Sequence, residues 1–417
     1  MKILILTTHC YPDVAATGII MRYLSEDLAK SGNTVTVITS IPHYDKGNAL
    51  LSKYKSPGTE ELCDGRLKIC RVPVYAPKRK SWIFGRALSF FSFAILSVVR
   101  SVSVGRHDVI LVLSPPLSNA LTADLLSRFS RTPFVLNVQD IWPDAVIRAG
   151  AVRNSIIVFA ARWLERYVYR RSSHVVVVSQ NMRNALLPKT QSPVTVIENF
   201  CDVDFLRPFP RHNDFSQLHD LDRSFVVLFA GNIGYSQGLE TLIGAALLLT
   251  DMKDVLFLIV GNGVMKGAIA TEVKRLNLSN VRFLPFQPHE VVPLMFASAD
   301  VGVVLLRKGF SSSSEPSKLL SIMAVGRPTI AAIDPQSDSW RLIEQTQCGI
   351  CVEPENSTAI AASIRKLAAC ADLRSVLGSN ARRAVVDRFS RADGVRKYEH
   401  LFASIVRPAR ARTHATT

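Results

Sequence analysis

Residues 311–318 read Ser-Ser-Ser-Ser-Glu-Pro-Ser-Lys, placing five hydroxyls, a carboxylate and an ammonium within eight residues. The β-branched run Val301–Leu306 before them is short and predicts a buried parallel strand, whose carboxyl end is where ligands bind in open α/β sheets. After the loop, Pro316 suits a first helical position. Leu319, Leu320, Ile322 and Met323 supply an apolar helix face, and Gly326 and Pro328 end it. Ser317 and Lys318 then fall in the first turn, where free N–H groups, the helix dipole and the lysine charge converge on a spot suited to a phosphate or diphosphate. The same residues would also make a plain surface helix with a solvated lysine.

The elements that must position this loop form two βα series. Lys2–Thr8 reads as a strand, followed by the loop Tyr11-Pro-Asp-Val-Ala-Ala-Thr-Gly18, a helix over residues 19–31 and a strand over Thr34–Thr39. No complete G-x-G-x-x-G follows the first strand, which disfavours NAD. Further strands at 109–113, 133–138 and 175–178 end in Ser114, in Gln139-Asp140 and in Ser179, so Ser114, Gln139 and Asp140 are expected on one sheet edge. Turn-rich sequence around 197–214 predicts a linker. Beyond it, strands at 224–230, 255–260 and 281–284 end in Gly231-Asn-Ile-Gly-Tyr-Ser-Gln-Gly238, in Gly261-Asn-Gly263 and in Pro285-Phe286. Strands at 301–306, 329–333 and 349–352 complete the second series. Glycine turns let a backbone approach a ligand closely. The expected fold class is α/β: two Rossmann-like, doubly wound domains facing a central cleft.

At 417 residues the chain exceeds one ordinary core. Lys and Arg number 50 against 34 acids, a formal charge of +16 that calls for anionic partners. The seven cysteines are scattered, and Cys348-Gly-Ile-Cys351 has no second pair nearby, so structural thiols are expected in place of zinc or a redox pair. Residues 1–9 read as a strand without a cleavage site behind it, so a cytoplasmic protein is expected.

Residues 65–107 carry nine Lys or Arg and no acid, around an uncharged run at 87–99 with Trp82 just before it. Thirteen residues are too few to span a bilayer core of about 30 Å, yet they can lie in its interface with flanking cations on lipid phosphates. A helix buried on the sheet is the alternative. The one-sided charge favours an anionic membrane surface, engaged through 78–106. Within residues 152–171, Arg162, Arg166, Arg170 and Arg171 interleave with Trp163, Tyr167 and Tyr169. No nucleic-acid recognition motif accompanies them, and no nucleic-acid partner is expected.

Taken together, Tyr11-Pro-Asp-Val-Ala-Ala-Thr-Gly18, Asp140-Ile-Trp-Pro, Ile197-Glu-Asn, the 231–238 turn and Pro316-Ser-Lys-Leu ahead of Ala324-Val-Gly-Arg-Pro resemble bacterial family-4 glycosyltransferases of the colanic acid, O-antigen and capsule type. The resemblance covers nearly the whole chain. It implies a GT-B fold with an acceptor-side domain over 1–203, a nucleotide-sugar domain over 204–388 and a last helix (389–408) returning to the first domain. It also implies retaining, metal-independent hexosyl or deoxyhexosyl transfer without a cofactor, from a UDP- or GDP-linked sugar to a polyprenyl-linked glycan at the inner face of the cell membrane. Carried onto this chain, the catalytic group is Asp140, Gln139 and Lys318. The nucleotide sugar falls to Gly18, Asn232, Gly234, Gln237, Gly261, Gly263, Phe286, Ser313, Glu315, Ser317, Lys318 and Leu319.

The chain departs from the family pattern at several positions. A glutamate pair common in the family falls on Ser313 and Ser321, with Glu315 near the first. An Arg and a Lys of the first glycine turn fall near Asn232 and Gln237, and a histidine falls on Gln139. Breaking a sugar–phosphate bond puts negative charge on the leaving diphosphate, which a lysine can stabilise. Retention without an enzymic nucleophile suggests that the leaving phosphate itself deprotonates the acceptor, with Asp140 positioning the hydroxyl. The competing readings are a nucleotide-sugar epimerase on the same fold, which has no use for the basic and apolar surface, and a non-enzymatic basic scaffold.

Overall fold

The computed structural model describes residues 1–13, 15–43, 54, 56–75, 83–148 and 154–414. The chain divides into one unit of Met1–Asn199 with Arg391–Thr417 and another of Phe200–Ser390, with divisions at 199/200 and 390/391 where the sequence suggested 203/204 and 388/389.

The first unit contains, in order, β1 (Lys2–Leu6), α1 (Ala16–Lys30), β2 (Thr34–Ser40), β3 (Gly58–Leu62), β4 (Leu67–Val72), α2 (Ile83–Ser103), β5 (Val109–Ser114), α3 (Ser118–Ser130), β6 (Phe134–Val138), α4 (Asp144–Arg148), α5 (Ser155–Arg171), β7 (His174–Val177), α6 (Gln180–Leu186) and β8 (Val194–Val196). Its sheet runs β3-β4-β2-β1-β5-β6-β7-β8, with every described pairing parallel except β3 with β4. Strands β1, β5 and β6 are buried on both faces, which is why their sequences read as near-continuous apolar runs, broken in β6 by Asn137, instead of alternating ones. Side chains of α2, α3 and α5 pack on one face, where Phe93, Ala120, Ala123, Val168 and Tyr169 share a core with Leu4, Leu6, Val112 and Leu136.

The second unit contains α7 (Asp214–Leu218), β9 (Phe225–Asn232), α8 (Glu240–Leu248), β10 (Val255–Asn262), α9 (Lys266–Arg275), β11 (Val281–Leu284), α10 (Val292–Ala297), β12 (Val301–Leu305), α11 (Lys318–Ala324), β13 (Thr329–Ala332), α12 (Asp338–Thr346), β14 (Gly349–Val352), α13 (Ser357–Ala369) and α14 (Ala371–Arg388). Its all-parallel sheet runs β11-β10-β9-β12-β13-β14, with the order reversing between β9 and β12. Helix α15 (Arg391–His414) belongs to the first unit. Arg391 forks onto Asp27 of α1 at 2.6 and 2.8 Å, Glu399 accepts from Asn33, and Tyr398 is buried against Asn137 of β6.

Two features of the first unit differ from the sequence expectation. The hairpin β3–β4 turns through Cys63, Asp64 and Gly65, all at positive φ, and its brief polar strand carries no alternating apolar signal. That hairpin also changes the charge count of the 65–107 stretch. Lys68 pairs with Glu61 at 2.8 Å, and buried Arg71 donates to the Tyr11 carbonyl at 2.7 Å and lies near Glu60, so part of the basic run is neutralised by acids from the neighbouring strand. Lys78, Arg79, Lys80 and Trp82 lie outside the described residues. All seven cysteines are free thiols. Burial pushes Cys351 up to about 12, and also raises Cys348, which suits neither a thiolate pair nor a ready metal ligand.

Candidate active site

In the second unit the site grows from the ends of β9, β10 and β12. Lys318 is half-buried as a residue, but its ammonium is out of solvent with no hydrogen-bond partner and sits 4.0 Å above the centre of the Phe229 ring. A β-carbon placed on Gly231 would come within 3.6 Å of its Cε and 3.8 Å of its Nζ, so the lysine tip lies directly on the first glycine turn. Burial alone pulls the Lys318 pKa down to about 7. A buried cation without a counter-charge is costly, and an anion at this spot would remove that cost.

Helix α11 begins at Lys318, two residues later than Pro316. The bonds from Leu319 N–H to the Pro316 carbonyl and from Leu320 N–H to the Ser317 carbonyl mark a tight entry turn before it. With seven residues the helix has a weak dipole, so the ammonium is the main positive group. Leu319 points into the core, while Ser317 starts the helix without a side-chain cap. The serine loop is pinned from below: Asp334 accepts from the N–H of Gly309 and from the Ser311 hydroxyl at 2.6 Å, and the Ser313 hydroxyl donates to the Phe310 carbonyl. The Glu315 carboxyl accepts from the Ser339 hydroxyl through one oxygen, its other oxygen is buried without a partner, and burial pushes its pKa up to about 7.

The glycine turns meet each other as well as the lysine. A β-carbon on Gly261 (φ +143) would lie 1.9 Å from the Gly231 carbonyl oxygen, and one on Gly263 would lie 2.2 Å from that of Ile233. Gln237 spends its amide oxygen on the Gly234 N–H, which holds the first turn, and Asn232 crowds the same glycine. Two further cations were not singled out by the sequence. Lys266, at the start of α9, donates to the Gly261 carbonyl at 3.2 Å. Arg307, after β12, donates to the Tyr235 carbonyl at 2.8 Å and stacks on the Tyr235 ring. Neither belongs to a recognisable motif: Lys266 is a local neighbour of its turn, five residues from Gly261, while Arg307 is brought to Tyr235 by the fold. Phe286 is half-buried at the end of the edge strand β11.

In the first unit, Ser114, Gln139 and Asp140 share one sheet edge: β5 and β6 pair to Ser114 opposite Val138, and the Gln139 N–H donates to the Ser114 carbonyl. The Gln139 side chain is committed inward. It donates to Asn137 at 2.8 Å and accepts from Asn199 of the Ile-Glu-Asn motif at 3.0 Å, in a chain that continues to Tyr398. Asp140 follows it, half-buried. Along the same edge, after β1, His9 Nδ1 donates to the buried Asp13 carboxylate at 2.7 Å, and the His43 ring, after β2, lies 5.2 Å from that of His9. The carboxylate fixes the His9 ring and tautomer. His9, Asp13 and His43 present ligand atoms within 4.8 Å of one another, the one such trio among the described residues. Gly18 lies beneath this loop, where a β-carbon would meet the Cys10 nitrogen at 3.3 Å.

A pair of doubly wound sheets, with a lysine and glycine turns at the carboxyl ends of the second, is the architecture of a GT-B protein. The comparisons agree. Residues 16–199 match the glycosyl transferase 4-like domain, and residues 211–384 match glycosyl transferases group 1. The chain is 30% identical over 385 residues, 88% of itself and 92% of the relative, to the putative colanic acid biosynthesis glycosyl transferase WcaI of Escherichia coli. Among solved structures it superposes on sucrose-phosphate synthase from Thermosynechococcus elongatus with a TM-score of 0.76 at 18% identity, covering 97% of this chain and 99% of that one. It also superposes on Anabaena HepE in complex with UDP-glucose, with a TM-score of 0.72 at 18% identity, covering 97% and 100%. The chain belongs to the bacterial family-4 glycosyltransferases of the GT-B fold.

Proposed function

We propose that this glycosyltransferase moves a hexosyl or deoxyhexosyl group from a UDP- or GDP-linked sugar to a polyprenyl-linked glycan during surface polysaccharide assembly. In this reading the transfer retains the anomeric configuration and needs no metal. The observation that carries it is the Lys318 ammonium, buried without a partner against Gly231 at the ends of β9 and β12. Departure of a nucleoside diphosphate develops negative charge on the β-phosphate, and a preorganised cation in a dry site stabilises it without a metal. The colanic acid relative supports the polysaccharide assignment, and the UDP-glucose complex of HepE supports the donor class. Lys266 and Arg307 hold the glycine turns that would receive the nucleotide.

The acceptor falls to the first unit. Asp140 and the His9–Asp13 pair stand on its sheet edge as groups that orient a hydroxyl, while the departing phosphate takes the acceptor proton on the face it leaves. That route needs no enzymic nucleophile and gives retention. The enzyme works in the cytoplasm, peripherally on the inner face of the membrane, with α2 toward the lipid.

One assay tests this reading. Purified enzyme is given UDP- and GDP-sugars and a polyprenyl-linked acceptor, with and without EDTA, and the released nucleotide and the product anomer are read. The reading expects acceptor-dependent nucleotide release, the donor's own anomeric configuration in the product, and no effect of EDTA. Asp140→Asn should bind donor normally and lose transfer. Inverted product overturns retention. Loss in EDTA with recovery on adding zinc or manganese overturns metal independence and points to His9, Asp13 and His43.

A further inference from the structure

Helix α2 is built the wrong way round for a core helix. Its inward positions include Ser89, Ser97 and Ser101 beside Phe93, whereas Leu88, Phe91, Ile95, Val99 and Val102 face solvent, the last at 77% exposure. The inward hydroxyls are satisfied locally: Ser97 donates to the Ala94 carbonyl and Ser101 to that of Ser97. Small side chains on this side let α3 approach, and Thr122 of α3 donates to the Ala94 carbonyl across the seam.

The pattern continues beyond α2. On α3, Leu125 and Phe129 are exposed one turn apart, Phe129 at 80%. On α5, Ile156, Phe159 and Trp163 form an outward stripe, and Trp163 stacks on Tyr167. Asp124 joins α3 to α5, accepting from the Tyr167 hydroxyl at 2.7 Å and from Arg171 at 2.9 Å. The three helices therefore lie side by side on one face of the first unit's sheet and share an outer apolar surface. Patches of this kind mark partner or membrane sites.

Charge identifies the occupant. The three helices carry seven arginines (86, 100, 128, 162, 166, 170, 171) and only two acids, Asp124 and Glu165. Both acids are buried and paired, Glu165 with Lys189 at 2.9 Å. Arg162, Arg166 and Arg170 are exposed at four-residue spacing beside the Phe159–Trp163 stripe. A second copy of this surface would set arginines against arginines. An anionic bilayer instead receives the apolar side chains in its interface and the arginines on its phosphates. No described helix is long and apolar enough to cross a membrane.

We infer that α2, α3 and α5 together form a flat membrane-docking platform for an anionic bilayer, with Phe129 and Trp163 as anchors separate from the α2 run. The inference rests on the lipid-linked acceptor of the proposed function and extends the contact to two helices outside the 78–106 stretch.

The test is flotation of the full chain with vesicles of phosphatidylcholine alone or mixed with phosphatidylglycerol. Wild type is compared with Phe129→Ser/Trp163→Ser and with Phe91→Ser/Ile95→Ser. Circular dichroism checks the fold, and donor-dependent transfer to a short water-soluble acceptor checks the chemistry. Each double variant should keep its fold and that transfer, while its partitioning onto phosphatidylglycerol vesicles falls by about tenfold or more. Wild type should bind weakly to phosphatidylcholine alone and release as salt rises. A Phe129/Trp163 variant that floats like wild type overturns the platform and leaves the transferase reading intact. A wild-type dimer, by light scattering, that these substitutions dissociate while vesicle binding stays unchanged also overturns it. Wild type that floats as expected yet transfers only to soluble acceptors supports the platform and sinks the lipid-linked acceptor.

Discussion

Glu315 and Lys318 stand three residues apart, and burial pushes both toward neutrality near pH 7. The signs of their effects on stability follow from which state holds the proton. Glu315 has a folded pKa of about 7 against an ordinary 4.5, so the folded chain keeps the proton longer. Its contribution is fully present below about pH 4.5 and is lost as pH rises to about 7. Glu315→Gln should flatten that slope, worth up to about 3 kcal/mol, in denaturant titrations at successive pH values. An unchanged slope would show the carboxyl to be better solvated than its buried, unpartnered oxygen implies. Lys318 runs the other way. Its folded pKa lies below the ordinary 10.5, so the folded state releases the proton first and gains stability as pH rises from about 7 through that window. Around neutral pH the fold bears a cost at both residues, which is the pattern expected where function opposes stability.

At the scale of elements, the parallel strands and their loop ends were legible because double-sided burial leaves plain apolar runs punctuated by glycine, serine and proline. The β3–β4 hairpin was not, since an edge strand of Gly-Thr-Glu-Glu-Leu carries no hydrophobic period. Missing it made the 65–107 stretch look more basic than its surroundings are. The α2 run was recognised as uncharged, but which of its faces looks outward depends on where the serines fall relative to the sheet. Arg307 escaped notice because it reaches the Tyr235 turn only through the pairing of β12 with β9, whereas Lys266 lies five residues from the Gly261 carbonyl it meets and was passed over as an ordinary first-turn lysine. The glycine turns were read as ligand approaches, and the structure adds that they are first of all approaches of one backbone to another. Gly261→Ala therefore places a methyl group inside the Gly231 carbonyl contact at a positive φ. It should destabilise the second unit by about 3 kcal/mol or more, read as a lowered melting temperature and a lost donor-induced thermal shift. A variant with wild-type melting behaviour would mean that the two turns part without cost.

For the whole molecule, the doubly wound sheets and the +16 charge set the frame, and the central claim concerns one cation within it. If Lys318 receives the diphosphate, an anion arriving beside it restores the proton that burial removes. Isothermal titration of UDP and GDP at about pH 8, in buffers of different ionisation enthalpy, reads both affinity and proton count. Wild type should take up close to one proton with its preferred nucleotide. Lys318→Met should bind that nucleotide about 2–3 kcal/mol more weakly, take up no proton, and melt no lower than wild type, since it removes a buried amine that has no hydrogen-bond partner. Equal affinity and equal proton uptake in the two proteins would contradict the account.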